Sequence, residues 1–142
     1  MTKILVSGGD GRFASKLKES KDFDVLAPPK SVMNVENFEQ VDYLIEMVKP
    51  DYFIHAAALT RPMSLHEEDP YASVATNIVG TSNVVMACMK RGVKLIYIST
   101  DYVYPGDKGN YSEDDPLLPF PKYGWSKLGG ECAVHIYDNS LI

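Results

Sequence analysis

Short apolar runs alternate with longer amphipathic ones along the chain. Lys3–Ser7 reads as a buried strand, Gly8–Gly11 as a glycine turn and Arg12–Ser20 as a first helix. Phe23–Ala27 is a second strand, broken by Pro28-Pro29, and Val32–Val35 a short third one. Phe38, Val41, Leu44, Ile45 and Val48 recur at helical spacing, so a helix is expected over Phe38–Lys49 with Asn37 as its N-cap. Pro50-Asp51 ends it, and Tyr52–Ala56 is a fourth strand. A polar loop over Leu59–Asp69 leads to a long helix from Pro70 to Arg91, closed by Gly92. Lys94–Ser99 is a fifth strand. Thr100–Phe120 reads as a loop, and a last helix runs from Pro121 or Lys122 to Tyr137, against the tendency of Gly129-Gly130. Ser140-Leu141-Ile142 begins one more apolar run.

Strands that alternate with helices predict an α/β fold: a Rossmann-like, doubly wound parallel sheet in three αβα layers. In such sheets the loops after the strand C-termini carry the ligand contacts.

The chain has 142 residues, 45% hydrophobic and 23% charged, which suits one domain, residues 1–142, with a real core. Disorder and collagen-like structure are excluded. Lys+Arg 14 against Asp+Glu 19 gives a net charge of −5, which speaks against nucleic acid as a partner. Cys88 and Cys132 are too few for a disulfide framework, and no His, Cys or carboxylate cluster has metal spacing, so no metal is expected. No run reaches the ~18 apolar residues of a membrane span, and the apolar stretch after Met1 is too short for a signal peptide. No membrane association is expected, and the cytoplasm is the expected location.

Four segments carry candidate chemistry. A glycine motif, read as Gly8-x-x-Gly11-x-x-Ala14 or as Gly9-x-Gly11-x-x-Ala14, follows a strand and opens a helix, where small residues let backbone N–H groups approach a pyrophosphate. An ordinary tight turn would show the same pattern. After the second strand no acid stands where a ribose 2′-hydroxyl would be read. Arg12 and Lys30 are available for a 2′-phosphate, although both equally suit a solvated surface. That tips the cofactor, by a small margin, to NADP(H) over NAD(H). Tyr123 and Lys127 stand at i and i+4 on one helix face, where an ammonium would lower the phenol's pKa and ready it for proton exchange. Ser99 and Thr100 end a strand, placed either to orient a substrate carbonyl or merely to satisfy backbone groups. His66, in an acidic loop, reads as solvated; His55 and His135 read as a strand-end and a helix-surface residue.

Taken in order, these segments resemble the extended short-chain dehydrogenase/reductase family, and within it the sugar-nucleotide reductases of the dTDP-4-dehydrorhamnose reductase type. The pieces are Gly8–Ala14, His55-Ala56-Ala57-Ala58-Leu59-Thr60 (where the family often has Asn at the first position), Asn77-Ile78-Val79-Gly80-Thr81, Ser99-Thr100-Asp101-Tyr102-Val103-Tyr104, and Tyr123-Gly124-Trp125-Ser126-Lys127. The resemblance implies that Gly8, Gly11, Arg12 and Phe13 contact the pyrophosphate side of the dinucleotide. It implies that Asn34 and Val35 meet the adenine, with Asn34 in place of the family's acid, and that Ala56, Ala57, Ala58 and Thr60 line the cofactor. Thr100, Tyr123 and Lys127 would be the catalytic hydroxyl, proton donor and lysine, with Tyr123 and Lys127 also at the nicotinamide ribose. Asn77 would be structural or part of a proton relay.

The resemblance further implies a keto-sugar nucleotide as substrate and a homodimer through helices 70–91 and 121–138. Family members run to about twice this length, so the substrate-binding part is expected to be missing and independent turnover is in question. A non-catalytic dinucleotide-binding module or regulatory subunit, and a sugar-nucleotide epimerase or dehydratase, stay open beside the reductase. The edge beyond Lys94–Ser99 is expected to be unpaired, a second contact surface.

Overall fold

A computed structural model describes residues 1–142. Five parallel strands form one sheet in the order β2-β1-β3-β4-β5. They are β1 (Thr2–Ser7), β2 (Phe23–Leu26), β3 (Tyr52–His55), β4 (Lys94–Tyr97) and β5 (Ser140–Leu141). Five helices connect and follow them: α1 (Arg12–Leu17), α2 (Phe38–Val48), α3 (Met63–Glu68), α4 (Pro70–Arg91) and α5 (Lys122–His135). This is the α/β, Rossmann-like architecture that the alternating pattern predicts.

The two faces of the sheet are covered unequally. Side chains alternate across a strand. Leu5, Phe53 and Leu95 therefore share one face, where they join Val41 and Ile45 of α2, Val84, Val85 and Cys88 of α4 and Val134 of α5 in a fourteen-residue core. Ile4, Val6 and Ile54 face the other way and meet only Ala14 of α1 as a fully buried partner.

Local chemistry sets the helix ends. The Asn37 side chain accepts from Gln40 N at 3.0 Å, as an N-cap should. Asp69 accepts from Ala72 N at 3.3 Å, with Pro70 in the first helical position. Gly92 closes α4 in the left-handed region at φ +68°.

Several expectations change. Val32–Val35 is not a strand: it turns between β2 and α2, and its apolar Met33 and Val35 are buried in the core under the helices instead of pairing. The polar loop before Pro70 contains α3. The long helix is not uniform, because Val74–Val79 winds as a π-helix. The loop after β4 opens with a 3-10 turn, Asp101–Val103. The edge beyond β4 is occupied, since Leu95 pairs with Ser140 and Ile96 with Leu141. By length and composition α4 does meet the requirement for crossing a membrane, contrary to the sequence expectation, but 50% of its apolar window is buried inside the protein. Burial of that kind is what a core helix shows.

Candidate functional site

The strand order reverses at β1. The chain steps from β1 to β2 on one side, then returns to place β3 on the other. A crevice opens above the C-terminal ends of β1 and β3, where open α/β sheets bind ligands. It measures about 260 Å³ and is lined by Gly8, Asp10, Gly11, Lys30, Met33, Asn34, Val35, Ala56, Ala57, Ala58, Leu59 and Thr76. Eight of the residues expected at the cofactor are among them. Arg12, Phe13 and Thr60 are exposed and do not form its wall.

Gly8 is required here on two counts. Its φ is +79°, and a Cβ on it would stand 2.9 Å from Ala57 N, so the turn can pass close over the loop after β3 only without a side chain. Gly11, a wall residue, caps α1 with no side-chain partner, which leaves the first helical N–H groups without a capping acceptor. Small residues, open amides and a concave wall fit the pyrophosphate side of a dinucleotide.

Behind the crevice lies a buried polar row. Ser7, His55 and Tyr97 are in register across β1, β3 and β4. Ser7 Oγ accepts from Ala56 N at 3.2 Å and Ala57 N at 3.1 Å, and lies 2.7 Å from His55 Nδ1. On the other side, His55 Nε2 is 2.9 Å from Thr81 Oγ1, whose hydroxyl donates to Asn77 O at 2.7 Å. The proton assignment follows from this chain of bonds. Thr81 spends its proton on a carbonyl, so His55 donates from Nε2 and accepts the Ser7 proton at Nδ1. Burial drives the His55 pKa down to about 3, with Lys127 adding to the effect, so the ring stays neutral. The strand-end histidine is thus a core ligand of the backbone that lines the crevice.

Asn77, in the π-helical stretch of α4, ties this wall to α5. Its Oδ1 accepts from Leu59 N at 2.7 Å, and its Nδ2 donates to Leu59 O and to Ser126 Oγ, each at 2.9 Å. Ser126 in turn donates to Tyr123 O at 2.8 Å. A π turn at a site of this kind is a recurrent device. The glycine pair in α5 is explained by the same packing, since a Cβ at Gly130 would stand 2.6 Å from Tyr97 Oη and 2.9 Å from Asn77 O.

Tyr123 and Lys127 are both buried on one face of α5, as the i, i+4 spacing predicts. Their electrostatics differ from expectation. Lys127 Nζ donates to Ile98 O at 2.7 Å and lies 4.2 Å from the centre of the Tyr97 ring. Burial lowers its pKa to about 8, with Glu131 acting against the shift. The phenol of Tyr123 is not lowered by this lysine. Burial raises it, the neighbouring Thr100 hydroxyl pulls the other way, and Asp101 and Tyr102 add to the rise. A phenol of this kind keeps its proton at neutral pH and serves as a donor.

The Tyr123 ring is held between His66, at 5.0 Å between ring centres, and Tyr102, at 5.7 Å edge-on. His66 is not solvated, as its acidic neighbours suggested. It is buried, with Nδ1 2.7 Å from Ser73 Oγ and Nε2 without a partner. The segment around it also grips the start of α5, where Lys122 N donates to Glu67 Oε1 at 3.2 Å. Ser7, Thr81, Ser126 and the anchoring role of His55 were missed in the sequence. The available signal was a Ser and a His at the inner ends of two otherwise apolar strands. His135 is exposed on α5, as expected.

A parallel sheet with a glycine-walled crevice at its reversal point, beside a buried Tyr–Lys pair, defines a Rossmann-type α/β protein. The family profile of the RmlD substrate binding domain matches residues 1–142, and the chain belongs to that family. Relatives include the spore coat polysaccharide biosynthesis protein SpsK of Bacillus subtilis, 34% identical over 149 residues, covering 100% of this chain and 52% of that protein. The dTDP-4-dehydrorhamnose reductase of Aggregatibacter actinomycetemcomitans is 31% identical, covering 92% of this chain and 46% of its own. Methionine adenosyltransferase 2 subunit beta of Rattus norvegicus is 36% identical, covering 80% and 33%. Among solved structures, dTDP-4-dehydrorhamnose reductase of Bacillus anthracis in complex with NADP superposes with a TM-score of 0.91 at 31% identity, covering 96% of this chain and 50% of that one. UDP-glucose 4-epimerase of Thermus thermophilus in complex with NAD gives a TM-score of 0.82 at 25% identity, covering 96% and 50%. The chain spans about half the length of the first two of these relatives and a third of the methionine adenosyltransferase subunit.

Proposed function

We propose that this chain is the dinucleotide-binding and proton-donating part of an NAD(P)H-dependent reductase acting on a keto-sugar nucleotide. The observation that supports it most is the junction of the glycine crevice with the buried Tyr123–Lys127 pair through Asn77 and Ser126. Gly8 and Gly11 approach the pyrophosphate, Asn34 and Val35 the adenine, and Ala56, Ala57 and Ala58 the dinucleotide's inner face. Arg12, Phe13 and Thr60 stand at the rim. A nicotinamide held there would supply the hydride for the keto carbon. Tyr123 then donates its Oη proton to the oxygen that becomes negative, which its raised pKa allows it to retain until then. Thr100 orients that oxygen by hydrogen bonding. Lys127, with its charge held on Ile98 O and the Tyr97 face, completes the floor of the site at the nicotinamide ribose. NADP(H) is favoured over NAD(H) by a small margin, on Lys30 in the crevice wall and the absence of an acid directly after β2.

The reading includes a cytoplasmic protein that pairs with itself through α4 and α5, where Val79, Met86 and Trp125 are exposed. The first test is NADPH binding, followed by NADPH oxidation with keto-sugar nucleotides. Tyr123→Phe is expected to abolish turnover and leave cofactor affinity within about twofold, because it removes the proton donor while the crevice contacts to the dinucleotide remain. Full turnover in that variant refutes the mechanism. The relationship to a methionine adenosyltransferase subunit supports a second reading, a dinucleotide-binding subunit without turnover. Tight NADPH binding with no oxidation of any keto-sugar nucleotide is its signature. The epimerase neighbours support a third, in which the same Tyr and Lys serve epimerisation; product formation without net NADPH consumption distinguishes it.

A further inference from the structure

The crevice contains one cation in its wall, Lys30, and that cation is already engaged. Its Nζ lies 3.3 Å from Glu36 Oε1. The same Glu36 oxygen accepts the Thr76 hydroxyl at 2.7 Å, and Thr76 is itself a wall residue, carried on the π-helical stretch of α4. Glu36 is therefore anchored from the far side of the crevice and draws Lys30 toward it. On the opposite flank Asp10, in the glycine turn, lines the wall and accepts Lys30 N at 3.3 Å. Lys30 is thus held by its backbone N–H on Asp10 and by its ammonium on Glu36. The Thr76 hydroxyl and Lys30 together hold the Glu36 carboxyl below its ordinary range, so its charge is present at neutral pH.

We propose that Glu36, locked by Thr76, is the residue that sets the balance between phosphorylated and unphosphorylated dinucleotide. The proposal rests on the dinucleotide reading above and adds what that reading lacks, a reason for the preference to be small. A 2′-phosphate that pairs with the Lys30 ammonium competes with Glu36 for it, in a crevice whose wall also carries Asp10. A 2′-hydroxyl is neutral and can donate to either. An acid directly after β2 is the usual sequence mark of NAD selectivity. Here its counterpart comes from the turn before α2 and acts through the lysine it occupies.

The experiment measures dissociation constants of NADPH and NADH by nicotinamide fluorescence at low and high salt, on the full chain. Glu36→Gln keeps an oxygen for Thr76 and removes the charge. It is expected to tighten NADPH by about tenfold, with NADH changed by less than about twofold and the gain reduced at high salt. Thr76→Val releases Glu36 and shifts the ratio the same way by a smaller factor. Adding Lys30→Met to Glu36→Gln erases the gain. An unchanged NADPH-to-NADH ratio in Glu36→Gln, or a gain that survives Lys30→Met, overturns the proposal while leaving the dinucleotide site intact. Failure of the unmodified chain to bind either dinucleotide overturns the dinucleotide reading and this proposal with it.

Discussion

The crevice over β1 and β3 and the Tyr123–Lys127 corner lie at the same end of the sheet, yet they are built from opposite materials. The crevice wall is mostly backbone and small side chains: Gly8, Gly11, Ala56, Ala57 and Ala58. Its work is to let a ligand come close, so it needs the absence of bulk. The corner is made of polar side chains from five segments: the buried His66 from α3, Asn77 from α4, and Ser126 and Lys127 from α5, the half-buried Thr100 after β4, and Tyr97 beneath. Its work is to hold a proton and a charge out of water, so its polar atoms depend on partners within the network, with His66 Nε2 the exception. The first kind of site fails by steric intrusion, the second by loss of one partner in a network.

That contrast can be broken at either side. The largest effect is expected from Gly8→Val. The variant places a branched side chain at φ +79°, with its Cβ 2.9 Å from Ala57 N, and should destabilise the fold by about 4 kcal/mol and abolish NADPH binding. Chemical unfolding and fluorescence titration check both. Asn77→Ala leaves the Leu59 N–H and C=O and the Ser126 hydroxyl short of a buried partner, and should lower stability by about 3 kcal/mol. If urea unfolding shows less than a third of that, the network is not what joins the two regions.

Next come the pH responses of two buried groups, Lys127 and His55. Lys127 has a folded pKa of about 8, below its ordinary 10.5. Between these values the unfolded chain binds the proton more tightly, so stability should rise with pH across that window, by up to roughly 2–3 kcal/mol. Lys127→Met should flatten the rise. His55 has a folded pKa of about 3, below 6.5. The same sign holds, so stability falls as pH drops from 6.5 toward 3, and His55→Asn should remove that part of the acid sensitivity. The smallest effect is expected at the surface, where Lys16 pairs with Glu19 in the open. Lys16→Ala should change stability by less than about 0.5 kcal/mol, with no effect on binding.

The difference between the two regions also explains what could be read from the chain. Gly8, Gly11 and the alanine run after β3 follow from local rules, because a strand, a tight turn and a helix start are neighbours in sequence and their glycines mark the place. The Tyr123–Lys127 face follows from helical spacing. The hydrogen bonds of Asn77 do not, since they join residues 18 and 49 positions apart and depend on a π turn that no periodicity announces. Val32–Val35 misleads for a related reason. Its apolar residues serve the core from a turn, and β-like composition alone cannot tell a paired strand from a buried loop. His66 misleads because its acidic neighbours point outward while the ring turns in toward Tyr123.

Local chemistry was therefore enough to determine the alternation of strands and helices, the glycine turn, the helix caps and the facing pair on α5. These depend on contacts within a few residues, where backbone geometry and side-chain period leave few choices. Only the tertiary structure decided which charges face each other across the crevice, that Lys127 rests on Ile98 O and Tyr97 rather than on Tyr123, and that burial raises the phenol it was expected to lower. Solvation and long-range pairing set those properties, and neither exists until the chain has closed around them.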